Sequence, residues 1–157
     1  MIATKTPITT LRTASVADLR SLAPLAEEFY ASSTMLKKFD INCFVALWTA
    51  LLTNGNGVVF VLESDGEVTG TLGAVCHPET YSAALIAQEF HLYISKESRG
   101  GFGLMKLLRA FEKWSRERGC SEMRIAHLQD LQPVELARLY TRLGFHQIET
   151  SYGKALD

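Results

Sequence analysis

Three glycines in four positions, within SKESRGGFGLMKLL at residues 95–108, constrain this chain more than any other feature. Glycine is costly to order and adds nothing to a core, so a cluster of it marks backbone that must stay bare. The segment before it, EFHLYIS at residues 89–95, reads as a strand. The segment after it carries Leu104, Leu107, Leu108, Phe111 and Trp114 at helical spacing, and Gly119 suits the helix stop. Strand, glycine turn and helix N-terminus together turn N–H groups toward one point, at the positive end of a helix dipole. That arrangement suits a phosphate, and Arg99 adds fixed positive charge at its rim. The plainer reading is a tight strand-to-helix turn with no ligand.

Two phosphate motifs are set aside. A Walker loop needs Gly-Lys-Ser/Thr at the helix start, where this chain has Gly103-Leu104-Met105. A dinucleotide fingerprint begun at Gly101 fails at Lys106 and lacks repeated βαβ units.

Elsewhere the pattern alternates between helix and strand. Residues 8–13 are β-prone, and Ser15 with Asp18 forms a capping box. A helix follows with Leu19, Leu22, Ala26 and Phe29 on one face, kinked or started late by Pro24. Asp40 caps a second helix carrying Phe44, Leu47, Trp48 and Leu51. GVVFVLESDGEVTGTLGAV reads as a hairpin around Asp65-Gly66. EMRIAHL, residues 122–128, reads as a strand. Leu136, Leu139, Tyr140 and Leu143 mark a last helix, and FHQIETSYGKAL supplies one or two closing strands. The expected architecture is a mixed α/β (α+β) sheet with helices on its faces, built as a single domain over residues 1–157.

Composition narrows the function. A formal net charge of −1 argues against a nucleic-acid partner or an anionic membrane surface. No apolar run reaches the length of a membrane span, and the N-terminus MIATKTPITTLRT lacks the apolar core of a signal peptide. Cys43, Cys76 and Cys120 are odd in number with no close pair, which speaks against a disulfide framework and for a reducing, cytoplasmic setting. No metal site is expected, because His127 and His146 have no partner at ligand spacing.

SRGGFGLMKLLRAFEKWSRERG resembles the acyl-CoA-binding motif of the GNAT superfamily of N-acetyltransferases, a Gln/Arg-x-x-Gly-x-Gly/Ala loop followed by a helix with a leucine pair and a terminal glycine. Aligned without gaps, Arg99 takes the basic position, Leu107-Leu108 the pair and Gly119 the final glycine. Phe102 and Leu104 stand where the family usually has small residues. RLYTRLGF at 138–145 is similar to the family's late Leu-Tyr-x-x-x-Gly-Phe segment, and ETSYGKAL to its terminal strand.

This resemblance implies a mostly antiparallel sheet with splayed central parallel strands, here 89–95 and 122–128. It implies acetyl-CoA as co-substrate, with pantetheine pairing along Leu92, Tyr93 and Ile94 like an added strand. The pyrophosphate would lie on the amides of Arg99, Gly100, Gly101, Phe102, Gly103 and Leu104. A primary amine would attack the thioester directly, one amide polarising its carbonyl. Glu89, ten positions before Arg99, matches the place where members often carry the base, and Tyr140 matches the donor to the departing thiolate. A paired or solvated carboxylate and a core tyrosine are the structural alternatives. His91 is expected on the same strand face as Glu89 and Tyr93. Cys76 and His77 alternate to opposite faces and form no dyad. Cys120 is expected to be a buried apolar residue. Lys106 and Arg109 belong to a solvated helix face within reach of the nucleotide. The acceptor stays open between a small amine, an amino acid and a protein amine. So does a homodimer through the last strands. Two rival classes stand beside the enzyme: a CoA-binding sensor without turnover, and an interaction protein on the same scaffold.

Overall fold

The computed structural model describes residues 8–34, 37–129 and 132–156. Most of the N-terminal stretch read for a leader thus lies outside the described residues. The element order is β1 (Thr9–Thr13), α1 (Leu19–Ala31), α2 (Ile41–Thr53), β2 (Gly57–Ser64), β3 (Glu67–Pro78), β4 (Leu85–Ile94), α3 (Gly103–Glu117), β5 (Glu122–Arg124) and α4 (Pro133–Arg142). The five strands form one sheet in sequence order. Every pairing is antiparallel except β4 with β5, which is parallel.

Local chemistry sets the ends of these elements. The Ser15 N–H and hydroxyl both donate to the Asp18 carboxylate, at 2.7 and 2.8 Å. With Arg12 beside it, those bonds pull Asp18 down to about 2. The helix α1 runs through the exposed Pro24 rather than starting after it. Asp40 accepts from the amides of Asn42 and Cys43 at 2.8 and 3.1 Å and so starts α2. Asp65 and Gly66 both take positive φ, as a two-residue hairpin turn requires.

The sheet divides the core in two. Val58, Phe60 and Leu62 of β2 face α3 and α4, where Leu107, Leu108 and Phe111 pack. Val59 and Val61 face α1 and α2, against Leu19, Leu22 and Trp48. Full burial of a side chain such as Phe111 or Leu107 contributes roughly 1.5–3 kcal/mol. Gly73 permits the tightest contact on the second face. A Cβ there would stand 2.3 Å from the His91 ring and 2.5 Å from the Trp48 ring.

Three expectations change. The strand read at 89–95 begins four residues earlier, at Leu85. The strand read at 122–128 stops at Arg124. The segment 145–156 forms no strand. A three-residue β5 offers almost no edge to extend, and the tail is rich in Gln, Glu, Thr, Ser, Gly and Lys. No described helix is long and apolar enough to cross a membrane.

Candidate active site

The short β5 creates an opening. It pairs with β4 only at Ile86–Glu122, Ala87–Met123 and Gln88–Arg124. Glu89 is the first β4 residue beyond that stretch. Its carboxylate accepts the Ala126 N–H at 3.1 Å, so a side chain spans the gap where the backbone ladder stops. Desolvation at this half-buried position pushes Glu89 up to about 7, against the pull of that N–H.

Tyr140 of α4 enters from the α3–α4 face and is buried. Its hydroxyl donates to the Ala126 carbonyl at 3.4 Å, a long bond. Burial, and then the Glu89 charge, push the Tyr140 pKa upward, which keeps the phenol protonated as a donor. Its ring packs on Phe145 at 5.8 Å and lies 6.3 Å from His127.

A bulge in β4 sorts the neighbouring side chains. Ala74 opposes Glu89 and Gly73 opposes His91, so Phe90 has no residue opposite it. The alternation therefore flips at Phe90. Ala87, Leu92 and Ile94 face the α3–α4 core. His91 and Tyr93 face α1 and α2, where His91 meets Trp48 at 5.1 Å and Tyr93 meets Phe29 at 5.7 Å. The expectation that His91 shares a face with Glu89 is thus corrected. Burial lowers His91 to about 4, and its Nε2 shares a hydrogen bond with the Thr71 hydroxyl at 3.2 Å.

The open edge of β4 is also defined. The Ser95 N–H donates to the Thr69 carbonyl at 2.9 Å, which sets the phase of the antiparallel ladder. By that phase the peptide groups of Tyr93 and His91 pair with Thr71 and Gly73. Those of Leu92 and Ile94 point into the opening. Tyr93 therefore drops out of the backbone set expected for pantetheine. Its side chain has other work: the hydroxyl donates to Glu28 of α1 at 2.7 Å, and the Arg99 guanidinium lies 5.3 Å over its ring.

Gly100, Gly101 and Phe102 of the glycine loop are exposed. Gly100 takes φ +86°, a conformation glycine adopts without strain. The α3 ladder begins with the Lys106 N–H on the Phe102 carbonyl at 3.0 Å, which leaves the Gly103, Leu104 and Met105 amides without helical partners. Phe102 is 84% exposed and Leu104 packs toward the core. Arg99 folds back instead of pointing outward, its Nε donating to the Ile94 carbonyl at 3.0 Å. Lys106 and Arg109 are both exposed, as expected of a solvated face, and the Lys106 ammonium donates to the Thr9 carbonyl at 2.6 Å.

Sequence reasoning missed the bulge at Phe90, the bridging role of Ala126 and the Glu28–Tyr93 contact. None has a local signal, since each depends on which strands pair. Cys76 and Cys120 lie 44 positions apart, yet their sulfurs approach to 3.3 Å as free thiols. Among the described residues, no group of three His, Cys, Asp or Glu side chains gathers as a metal site.

A family model of the acetyltransferase (GNAT) domain matches residues 55–147. No curated protein matches the chain. Solved structures share its fold. A predicted acetyltransferase with acetyl-CoA from Clostridium acetobutylicum is 16% identical with a TM-score of 0.77, over 94% of this chain and 96% of that one. Ribosomal-protein-alanine N-acetyltransferase from Brucella melitensis biovar Abortus 2308 is 17% identical with a TM-score of 0.71, over 94% and 99%. Glucosamine-6-phosphate N-acetyltransferase from Arabidopsis thaliana is 15% identical with a TM-score of 0.74, over 96% and 99%.

Proposed function

The chain belongs to the GNAT family of acetyltransferases, and from that premise we propose that it moves an acetyl group from acetyl-CoA to a primary amine by direct attack. The observation that carries this reading is the meeting of Glu89 and Tyr140 on Ala126, inside the gap between β4 and β5.

The residues present fit the co-substrate. The outward peptide groups of Leu92 and Ile94 would pair with the pantetheine amides, and Arg99 would leave the Ile94 carbonyl as they do. The amides from Arg99 to Leu104 would receive the pyrophosphate at the start of α3. Arg99, once released, supplies charge to the same phosphates.

Two proton transfers remain. An alkylammonium with a pKa near ~10 must lose a proton before its nitrogen attacks. Glu89, held at about 7, takes that proton directly or through one water. As the N–C bond forms and the C–S bond breaks, the sulfur leaves as a thiolate. Tyr140, buried and protonated, gives it a proton. The reading predicts CoA release from acetyl-CoA only when an amine is present. It also predicts loss of that release, with acetyl-CoA binding retained, in Tyr140→Phe. Binding without turnover of any amine would leave the sensor reading in its place.

A further inference from the structure

A continuous string of rings lines the α1–α2 face beside the opening. Tyr30 at the end of α1 lies 6.1 Å from Phe39, and Phe39 lies 6.0 Å from Phe44 on α2. Phe44 lies 6.3 Å from the His91 ring. Trp48 stands edge-on to both His91, at 5.1 Å, and Phe90, at 6.3 Å. The string ends at Phe90, where β4 has parted from β5 and opens the gap that the Glu89 side chain spans.

An aromatic cluster sealed inside a core needs no ligand. This one is sealed only at its floor, where Trp48 and His91 are buried. Tyr30, Phe39 and Phe44 are half-buried, and Phe90 is 50% exposed. The bulge is what holds Phe90 outward, since it lacks a partner across the sheet. Contiguous apolar surface left in water beside the β4–β5 gap, which the Glu89 side chain spans, has the character of a ligand seat. The polar atoms at its floor, the Thr71 hydroxyl and His91 Nε2, satisfy each other. His91 is neutral there and puts no positive charge under an incoming ammonium. Such rings take a planar apolar group in offset or edge-on packing with no polar partner required.

We propose that the acceptor is a primary amine on an aromatic or similarly planar apolar body, seated on Phe44 and Phe90 with its ammonium entering the β4–β5 gap that Glu89 spans. The proposal rests on the N-acetyltransferase reading and narrows it. In the transfer, the amine nitrogen gains the acetyl carbon, Glu89 accepts the ammonium proton, and the CoA sulfur leaves with a proton from Tyr140.

The test is the initial rate of CoA release from acetyl-CoA with phenethylamine and tryptamine, against butylamine, spermidine and glucosamine. The expected result is a kcat/KM for the aryl amines about tenfold or more above that for butylamine. Phe90→Ala and Phe44→Leu, the second keeping apolar volume, should raise KM for phenethylamine by about tenfold. Both should leave acetyl-CoA affinity unchanged and should lower kcat/KM for phenethylamine several-fold more than for butylamine. Preference for spermidine or glucosamine, or an equal loss with every amine, would overturn the proposal. If no amine is acetylated, the N-acetyltransferase reading fails, and the seat is judged by calorimetric binding of phenethylamine to the CoA-loaded protein. Binding tighter than that of butylamine, and lost in Phe90→Ala, supports the seat. Binding no tighter than butylamine overturns it.

Discussion

Glu89 and Tyr140 come from different elements and meet on one residue: Glu89 accepts the Ala126 N–H at 3.1 Å, and the Tyr140 hydroxyl donates to the Ala126 carbonyl at 3.4 Å. The two environments suit opposite tasks. Glu89 is raised only to about 7 and ionises near neutrality, whereas Tyr140 is pushed upward and keeps its proton. The proposed base and acid thus flank the place where the strands part.

Tyr140→Phe removes one oxygen from a buried ring. The expected loss in kcat is about 10²–10³-fold, in the range of a single general acid. The acetyl-CoA dissociation constant, read by calorimetry, should move less than threefold by this account, on the order of RT. A matched loss of affinity and rate would make Tyr140 a packing residue instead.

The proposed base role of Glu89 makes activity depend on pH. A base must be ionised, so kcat/KM should fall as pH drops through about 7. Glu89→Gln should lower the rate and remove that inflection. The same shift has a stability sign. A folded pKa above the unfolded one means that the folded state holds the proton longer, so stability declines as pH rises from about 4.5 to about 7. Glu89→Gln should therefore raise the unfolding free energy at pH 8, by an amount on the order of 1–3 kcal/mol, and change it little at pH 4. Melts at the two pH values check this.

Asp18 gives the opposite dependence. Ser15 and Arg12 hold its pKa at about 2, below the unfolded carboxylate range. Its contribution is complete above about pH 4 and is lost as pH falls toward 2. Asp18→Asn should flatten the acid limb of the stability profile below pH 4, as read by circular dichroism.

Gly73→Ala places a methyl against two buried rings. With His91 at 2.3 Å and Trp48 at 2.5 Å from the added carbon, the expected cost is about 1–3 kcal/mol or more, measured by urea unfolding. A neutral result would mean that the aromatic floor yields freely.

The order of elements through α4 was legible from periodicity, and the glycine loop from its composition. The residues proposed as base and acid were legible only through the family resemblance. What sequence could not show was pairing. EMRIAHL has strand chemistry throughout, yet only Glu122–Arg124 joins the sheet, because β4 and the chain after Arg124 diverge. The faces of Glu89 and His91 looked shared because alternation was counted straight through Phe90. Tyr93 was assigned by its backbone, whereas ladder phase gives that backbone to β3. Each miss lies in how two strands register, which neither strand encodes alone.

Acetyl-CoA binding by calorimetry, on the native chain and on Arg99→Glu, tests the central claim most directly. The account predicts saturable binding by the native chain, weakened about tenfold or more by the charge reversal at the phosphate loop. A folded native chain that binds no acetyl-CoA, or an Arg99→Glu variant that binds it equally well, would contradict the account and leave SRGGFGL as a turn between a strand and a helix.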